Sequence, residues 1–325
     1  MYYIGVDIGG TGIQAGVVDN YGKIIFRAEC KTVIEKGFEG ILNDIKIMIY
    51  KLLEDNKLTM SDIKSIGFGV PGFINKEGLV TCVNLKWNKK AFNKELKRRF
   101  PDVEIHGEND ATVAALGEAK FGSMKGANVG VLYTLGTGVG GGIVINQKVF
   151  SGAHGLGSEI GHQIIGENYF NCNCGNNGCV ETFCSATAII KYSQKLIEEG
   201  EKSRILDLAE GNLENVNAKM VFDAYRENDL VAIKVINRFK EYLAKTFANT
   251  INSLDPEIIS IGGGISKSSD IILDGIEDLV RKFVLYKTED IATITCATLG
   301  SDAGIIGAAF YNVNELLIGG VMIYG

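Results

Sequence analysis

Two short apolar runs open the chain, at 2–8 and 13–18, on either side of a Gly-Gly-Thr-Gly stretch, the pattern of a β-hairpin closed by a glycine turn. The period then changes to helical. Over 38–54, Ile41, Leu42, Ile45, Met48, Ile49, Leu52 and Leu53 share one face. "IKSIGFGVPG" (63–72) predicts a buried strand ending in a turn, and 103–122 a strand, a polar turn and a helix. A second glycine-containing hairpin follows at 129–150. Helices are predicted over 181–198 and 229–252, the latter with Val235, Ile236, Phe239, Leu243, Phe247 and Ile251 on one side. A strand and turn at 257–266 and a turn with a last long helix at 299–311 complete the pattern.

Strands alternating with helices predict an α/β protein. The two hairpins resemble each other: Gly9 and Gly136 each lead, by eleven and ten residues, to an asparagine, Asn20 and Asn146. Such similarity predicts two related lobes facing a cleft. No low-complexity segment or linker interrupts the chain.

Composition narrows the classes. The 325 residues are 46 % hydrophobic and 22 % charged, ordinary for a globular protein. Glycine is high at 41 and proline low at 3, and the glycines sit inside apolar segments, as tight turns and close approaches to a ligand require. A net charge of −6 leaves no basic footprint for nucleic acid or an anionic membrane. No segment approaches the roughly 20 apolar residues of a membrane span, and the start lacks the pattern of a signal peptide, so a cytoplasmic protein is expected. Cysteines stay reduced in that compartment, which favours metal over disulfides where they cluster.

"GTGVGG" (136–141) satisfies G-x-G-x-x-G, but a strand follows where a dinucleotide fingerprint needs a helix, and no P-loop occurs. What remains is a turn whose N–H groups can converge on an anion beside a threonine, or simply a tight hairpin. Asp7, two residues before Gly9, sits poorly in a core and well beside a hydrated Mg²⁺. Asp110 in "ENDATVAALGE" is either a helix cap or a general base. Cys172, Cys174 and Cys179 surround "GNNG", with His162 ten residues before the first; three thiolates and an imidazole make a closed tetrahedral zinc set, while bare clustered thiols are the alternative.

In order along the chain, "DIGGTGIQAGVVD", "GVPG", "ENDATVAALGE", "LGTGVGGGI", "SEIGH" and "CNCGNNGC" resemble the ROK family of sugar kinases and repressors, within the actin-like ATPase superfamily. The resemblance covers essentially the whole chain. It implies a two-lobed α/β fold of the ribonuclease H-like type, each lobe a mixed sheet flanked by helices, with ATP·Mg²⁺ and sugar meeting in the cleft. The expected boundaries are a small lobe over 1–110, with a C-terminal helix at about 303–325 packing back on it, and a large lobe over 111–302 carrying the zinc loop.

By that resemblance Gly9, Gly10 and Thr11 form the first phosphate turn, Gly136, Thr137 and Gly138 the second, and Gly262 and Gly263 lie by the adenosine. Asp110 matches the catalytic base and Asn109 a sugar-binding amide. Glu159, His162 and Glu181 are expected to line the sugar pocket, with Gly72 and Asn84 as further sugar contacts. His162, Cys172, Cys174 and Cys179 are the expected ligands of a structural zinc, with no open position for chemistry. Two positions depart from the family pattern: Gly12 stands where members often carry Lys or another long residue, and Thr112 where many carry Asn. The implied activity is phosphorylation of a hexose 6-hydroxyl, glucose first, with fructose, mannose and N-acetylated amino sugars as alternatives and ATP or polyphosphate as donor. A sugar-responsive regulator is the competing class, disfavoured here because the first strand begins by residue 3. A homo-oligomer, dimer or tetramer, is the expected assembly.

Overall fold

Alternation along the first strand decides how its sheet is covered. The structure, a computed structural model, describes residues 1–313, 315–318 and 321–324. It divides into two compact units, one formed by Met1–Leu132, Gly142–Ser158 and the chain from Ala297 onward, the other by Tyr133–Gly141 and Glu159–Cys296.

In the first unit, β1 (Tyr2–Ile8), β2 (Gly12–Val18), β3 (Ile24–Lys31), β4 (Ile63–Val70) and β8 (Glu104–Asn109) form a sheet of order β3-β2-β1-β4-β8. The β1–β2 and β2–β3 pairs are antiparallel, and the β1–β4 and β4–β8 pairs parallel. Ile4, Val6 and Ile8 bury in a core with α1 (Gly37–Asp55), whose seven predicted apolar positions are all buried there. A small sheet of β5 (Phe73–Ile74), β6 (Val80–Cys82) and β7 (Trp87–Lys90), followed by α2 (Phe92–Arg99), extends this core, with Trp87 edge-on to Phe38 at 5.0 Å.

The opposite face carries Tyr3, Gly5 and Asp7. Gly16, Gly5 and Gly67 stand directly opposite one another across three strands. That row lets α11 (Ala303–Ala309) lie on the sheet backbone to backbone: a Cβ at Gly5 would fall 1.8 Å from the Ile305 carbonyl oxygen, and one at Gly67 1.8 Å from that of Ala308. Helix α3 (Asp110–Phe121) closes on α11 as tightly, a Cβ at Gly307 falling 1.6 Å from the Val113 oxygen. Alanine at 307 gains about 1 kcal/mol of helix propensity, but overpacking rigid backbone outweighs it. Gly307→Ala is expected to destabilise the protein by about 2–3 kcal/mol in denaturant unfolding, whereas Gly264→Ala, with nothing within 4 Å of the added methyl, stays within about 0.5 kcal/mol. Equal midpoints for the two variants would contradict the packing described.

Buried Glu118 of α3 fastens the approach to α11. Its carboxylate accepts N–H bonds from Ser123 (2.7 Å), Leu299 (2.8 Å) and Thr298 (3.2 Å). A buried carboxylate with several donors is held rather than strained.

The second sheet, β11-β10-β9-β12-β13, is built from β9 (Val129–Leu135), β10 (Val139–Ile145), β11 (Lys148–Val149), β12 (Ile258–Gly262) and β13 (Thr293–Cys296). Its order repeats that of the first sheet, with an antiparallel β10–β11 edge and a parallel β12–β13 pair, so the resemblance of the two hairpins reflects an internal repeat. Around it lie α4 (Glu181–Cys184), α5 (Ala186–Glu198), α6 (Arg204–Leu208), α7 (Ala218–Arg226), α8 (Leu230–Leu254), α9 (Ser269–Leu273) and α10 (Ile276–Arg281). The predicted apolar face of α8 is buried along its length.

Two helices differ from expectation. The one predicted over 181–198 breaks at Ser185, whose hydroxyl accepts the Ala188 N–H at 3.0 Å and caps α5. The one expected over about 303–325 ends at Ala309. Beyond it β14 (Glu315–Ile318) and β15 (Val321–Tyr324) pair antiparallel, as two apolar runs flanking Gly-Gly do. Among the described residues no helix is long and apolar enough to cross a membrane.

Candidate functional site

The first glycine turn is closed by the Gly9 N–H on the Gly12 carbonyl at 2.9 Å. The end of β3 braces it: the Thr32 hydroxyl donates to the Gly9 carbonyl at 2.7 Å and the Thr32 N–H to that of Thr11 at 3.2 Å. Gly10 and Thr11 are exposed at its tip. Asp7 lies beside it on the α11 face, where burial raises its carboxyl above the ordinary carboxylate range. A divalent cation held there would remove that penalty, so the position suits Mg²⁺. Asp7, Gly9 and Thr11 line a cavity of about 580 Å³. Gln14, Glu29, Lys31 and Ser301 line it too, although no motif named them. Strand register brings them there: Asp7 is opposite Gln14, Gln14 opposite Glu29, and Gly12 opposite Lys31.

No polar turn separates β8 from α3. Asn109 is the last residue of the strand and Asp110 the first of the helix. The cap is Asn109, whose Oδ1 accepts the Thr112 N–H at 3.1 Å and whose Nδ2 donates to the Gly72 carbonyl at 3.1 Å. The capping duty that Asp110 was a candidate for therefore falls on its neighbour. Asp110 accepts the Ala111 N–H at 2.7 Å. Gly72 holds its carbonyl in place by close approach to β6, since a Cβ there would meet the Thr81 oxygen at 2.4 Å. Asn84 is exposed in the turn between β6 and β7.

In the second unit the remaining motifs converge on the second glycine turn. Its Gly136 N–H closes on the Gly138 carbonyl at 2.9 Å, and β10 follows directly, as a hairpin and not a dinucleotide fold requires. The start of α5 anchors two of its carbonyls, through the Ala186 N–H to Gly136 (2.8 Å) and the Thr187 hydroxyl to Thr137 (2.8 Å). Gly263 follows Gly262 at the end of β12 with φ 84°, and a Cβ there would fall 2.4 Å from the Leu135 oxygen, so only glycine suits it. The turn Ile160–His162, entered from Glu159, rests on the same place: a Cβ at Gly161 would stand 1.9 Å from the Val139 oxygen.

Glu181, first residue of α4, accepts the Val139 N–H on Oε2 at 3.0 Å, while its Oε1 is 3.5 Å from Cys172 Sγ. Cys172 belongs to a compact set. The ligand atoms of His162, Cys172, Cys174 and Cys179 all lie within 4.8 Å of one another. Cys172 Sγ is 3.6 Å from His162 Nδ1, and the Cys174 and Cys179 sulfurs are 3.6 Å apart. A tetrahedral ion with Zn–S bonds of about 2.3 Å spaces its donors roughly 3.8 Å apart, so these residues fit zinc. The loop is shaped for it: the Cys172 N–H bonds the Asn176 carbonyl at 2.8 Å, and Gly178, at φ 84°, passes so close to Gly166 that a side chain is excluded. With Nδ1 turned to the sulfurs, His162 keeps Nε2 for another partner.

A family model described as "ROK family" matches residues 3–314. The chain belongs to the ROK family. Among ROK proteins, it is 37 % identical to a glucokinase of Halalkalibacterium halodurans over 313 residues, covering 95 % of this chain and 94 % of that one. It is 34 % identical to a glucokinase of Thermotoga maritima, over 94 % of this chain and 95 % of that one. A crystal structure of a ROK family glucokinase from Streptomyces griseus in complex with glucose and AMPPNP matches with a TM-score of 0.79 at 30 % identity, over 95 % of this chain and 98 % of that one. The mixed sheets flanked by helices are thus those of a ROK fold.

Proposed function

We propose that this ROK protein transfers the γ-phosphoryl group of ATP to the 6-hydroxyl of glucose. The observation that carries this reading is the likeness to glucokinases along nearly the whole of both chains, at 37 % and 34 % identity. The chemistry of the residues agrees with it. A sugar hydroxyl is a weak nucleophile; a carboxylate at Asp110 accepts its proton as the oxygen attacks phosphorus and ADP leaves. Asn109, fixed at both ends of its amide, holds the start of α3 still and retains one N–H for a sugar hydroxyl. Glu159, His162 and Glu181 are the acceptors and donors for the remaining hydroxyls, with Gly72 and Asn84 as weaker candidates for sugar contacts.

Two glycine turns, Gly9–Thr11 and Gly136–Gly138, offer backbone N–H groups to phosphates, and Asp7 holds the hydrated Mg²⁺ that offsets their charge. Gly262 and Gly263 lie by the adenosine. Zinc on His162, Cys172, Cys174 and Cys179 has four protein ligands and braces the loop without activating water. The working assembly is a homo-oligomer.

A coupled ADP-release assay over glucose, fructose, mannose and N-acetylated amino sugars tests the assignment. Glucose is expected to give a kcat/KM at least about tenfold above the others, the discrimination that contacts to one hydroxyl supply. Preference for another sugar would move the substrate within the kinase class. No sugar-dependent ADP release at all would leave a non-catalytic sugar-binding regulator.

A further inference from the structure

We infer that Lys31, at the end of β3, is the cationic side chain that holds the phosphate chain of the nucleotide at the first glycine turn. It does from a neighbouring strand what position 12, a glycine here, cannot do. The inference rests on the kinase reading only in taking the ligand to be a nucleoside triphosphate.

Gly12 and Lys31 are directly opposite in the β2–β3 ladder. Directly opposed residues project to the same face with their Cβ positions about 5 Å apart, so a long side chain from either strand enters the same space. The space is the cavity of about 580 Å³ that Asp7, Gly9, Thr11 and Ser301 also line.

Charge makes the case specific. The charged residues lining that cavity are Asp7, Glu29 and Lys31. Without the lysine, the turn that must take a phosphate chain would be bordered by carboxylates alone. Other cations nearby are committed. Arg27, four residues earlier on the same strand, forms a two-pronged pair with Asp302 at 2.8 and 2.6 Å, and Lys36 bonds Asp44 at 2.6 Å. Lys31 is exposed and makes no ion pair among the described residues. Its ammonium is free to follow a mobile phosphate, as a compact charge on a flexible stem does.

Position 12 is not glycine for want of room. A Cβ there would meet only the Cys30 carbonyl oxygen, at 3.8 Å, an ordinary contact. The cavity therefore accepts a lysine from either strand, and this chain supplies it from β3.

The test is calorimetric titration of the full-length protein with MgATP, which reads binding without requiring turnover. Lys31→Ala is expected to raise the dissociation constant about tenfold, the loss of one charge-assisted phosphate contact, and to flatten its dependence on salt. Lys31→Arg should stay within about threefold of wild type. Adding Gly12→Lys to the Lys31→Ala protein should recover most of the affinity. In steady-state assays Lys31→Ala alone should raise KM for ATP and leave KM for sugar unchanged. An unchanged MgATP constant in a Lys31→Ala protein of normal melting temperature would overturn the proposal, as would a folded double variant that regains nothing. A wild-type protein that binds MgATP with this lysine dependence yet phosphorylates no sugar would overturn the kinase reading and keep the site.

Discussion

Asp110→Asn is expected to lower kcat for sugar phosphorylation by about 10³-fold while changing sugar affinity by less than about threefold. General-base catalysis contributes on the order of 10²–10⁴ in rate, and the expected loss lies in the middle of that range. The substitution isolates the base. Asn109, not Asp110, caps α3 through the Thr112 N–H, so the helix start survives, and the new amide oxygen can still accept the Ala111 N–H. The melting temperature should therefore stay within about 2 °C. Single-turnover kinetics with glucose binding measured by titration separates the two effects. A variant that retains more than a tenth of wild-type kcat would remove Asp110 from the role of base. One that loses sugar binding in equal measure would make it a binding residue.

Removing the metal should have the second largest effect. Elemental analysis is expected to find about one zinc per chain, lost in Cys172→Ser. Zinc binding in small closed sites is worth about 10 kcal/mol or more; a third of that lost from folding would lower the melting temperature by roughly 10 °C. The functional loss follows from Glu181. One carboxylate oxygen faces Cys172 and the other holds the Val139 N–H of the second glycine turn. Slackening the loop therefore disturbs the carboxylate proposed to read the sugar and the turn together, and KM for both substrates should rise about tenfold or more. A metal-free preparation with full activity and unchanged stability would show that the cysteines are simply thiols.

Much of this was legible in the sequence because it depends on local periodicity. The apolar positions of α1 and α8 are buried as their spacing demands, and the paired glycine hairpins announced two sheets of the same order. The cysteine set was legible because its members are close in the chain. Helix limits were less so. Ser185 interrupts a continuous apolar pattern by capping, a competition between side chain and backbone that periodicity does not register. The pattern of the residues placed the last helix within 299–311, where it lies; the longer helix to about 325 came with the resemblance, and the two apolar runs there pair as strands instead. Lys31 and Ser301 could not be found at all. They reach the first turn through register and through the Glu118 tether, and no spacing rule relates residues 12, 31 and 301.

The glycine row beneath α11 carries a consequence in time. Gly16, Gly5 and Gly67 are made early and wait, as an open trough in the first sheet, for Ile305 and Ala308. The whole second unit is synthesised in between. At a ribosomal pace of about 5–20 residues per second, the amino-terminal sheet stays uncovered on that face for some ten seconds or more. Tyr3, Val18 and the partners they will meet, Ile306 and Phe310, can form their cluster only after the second unit has been made. The second unit is thus free to fold first, while the first unit, although begun sooner, is completed after it.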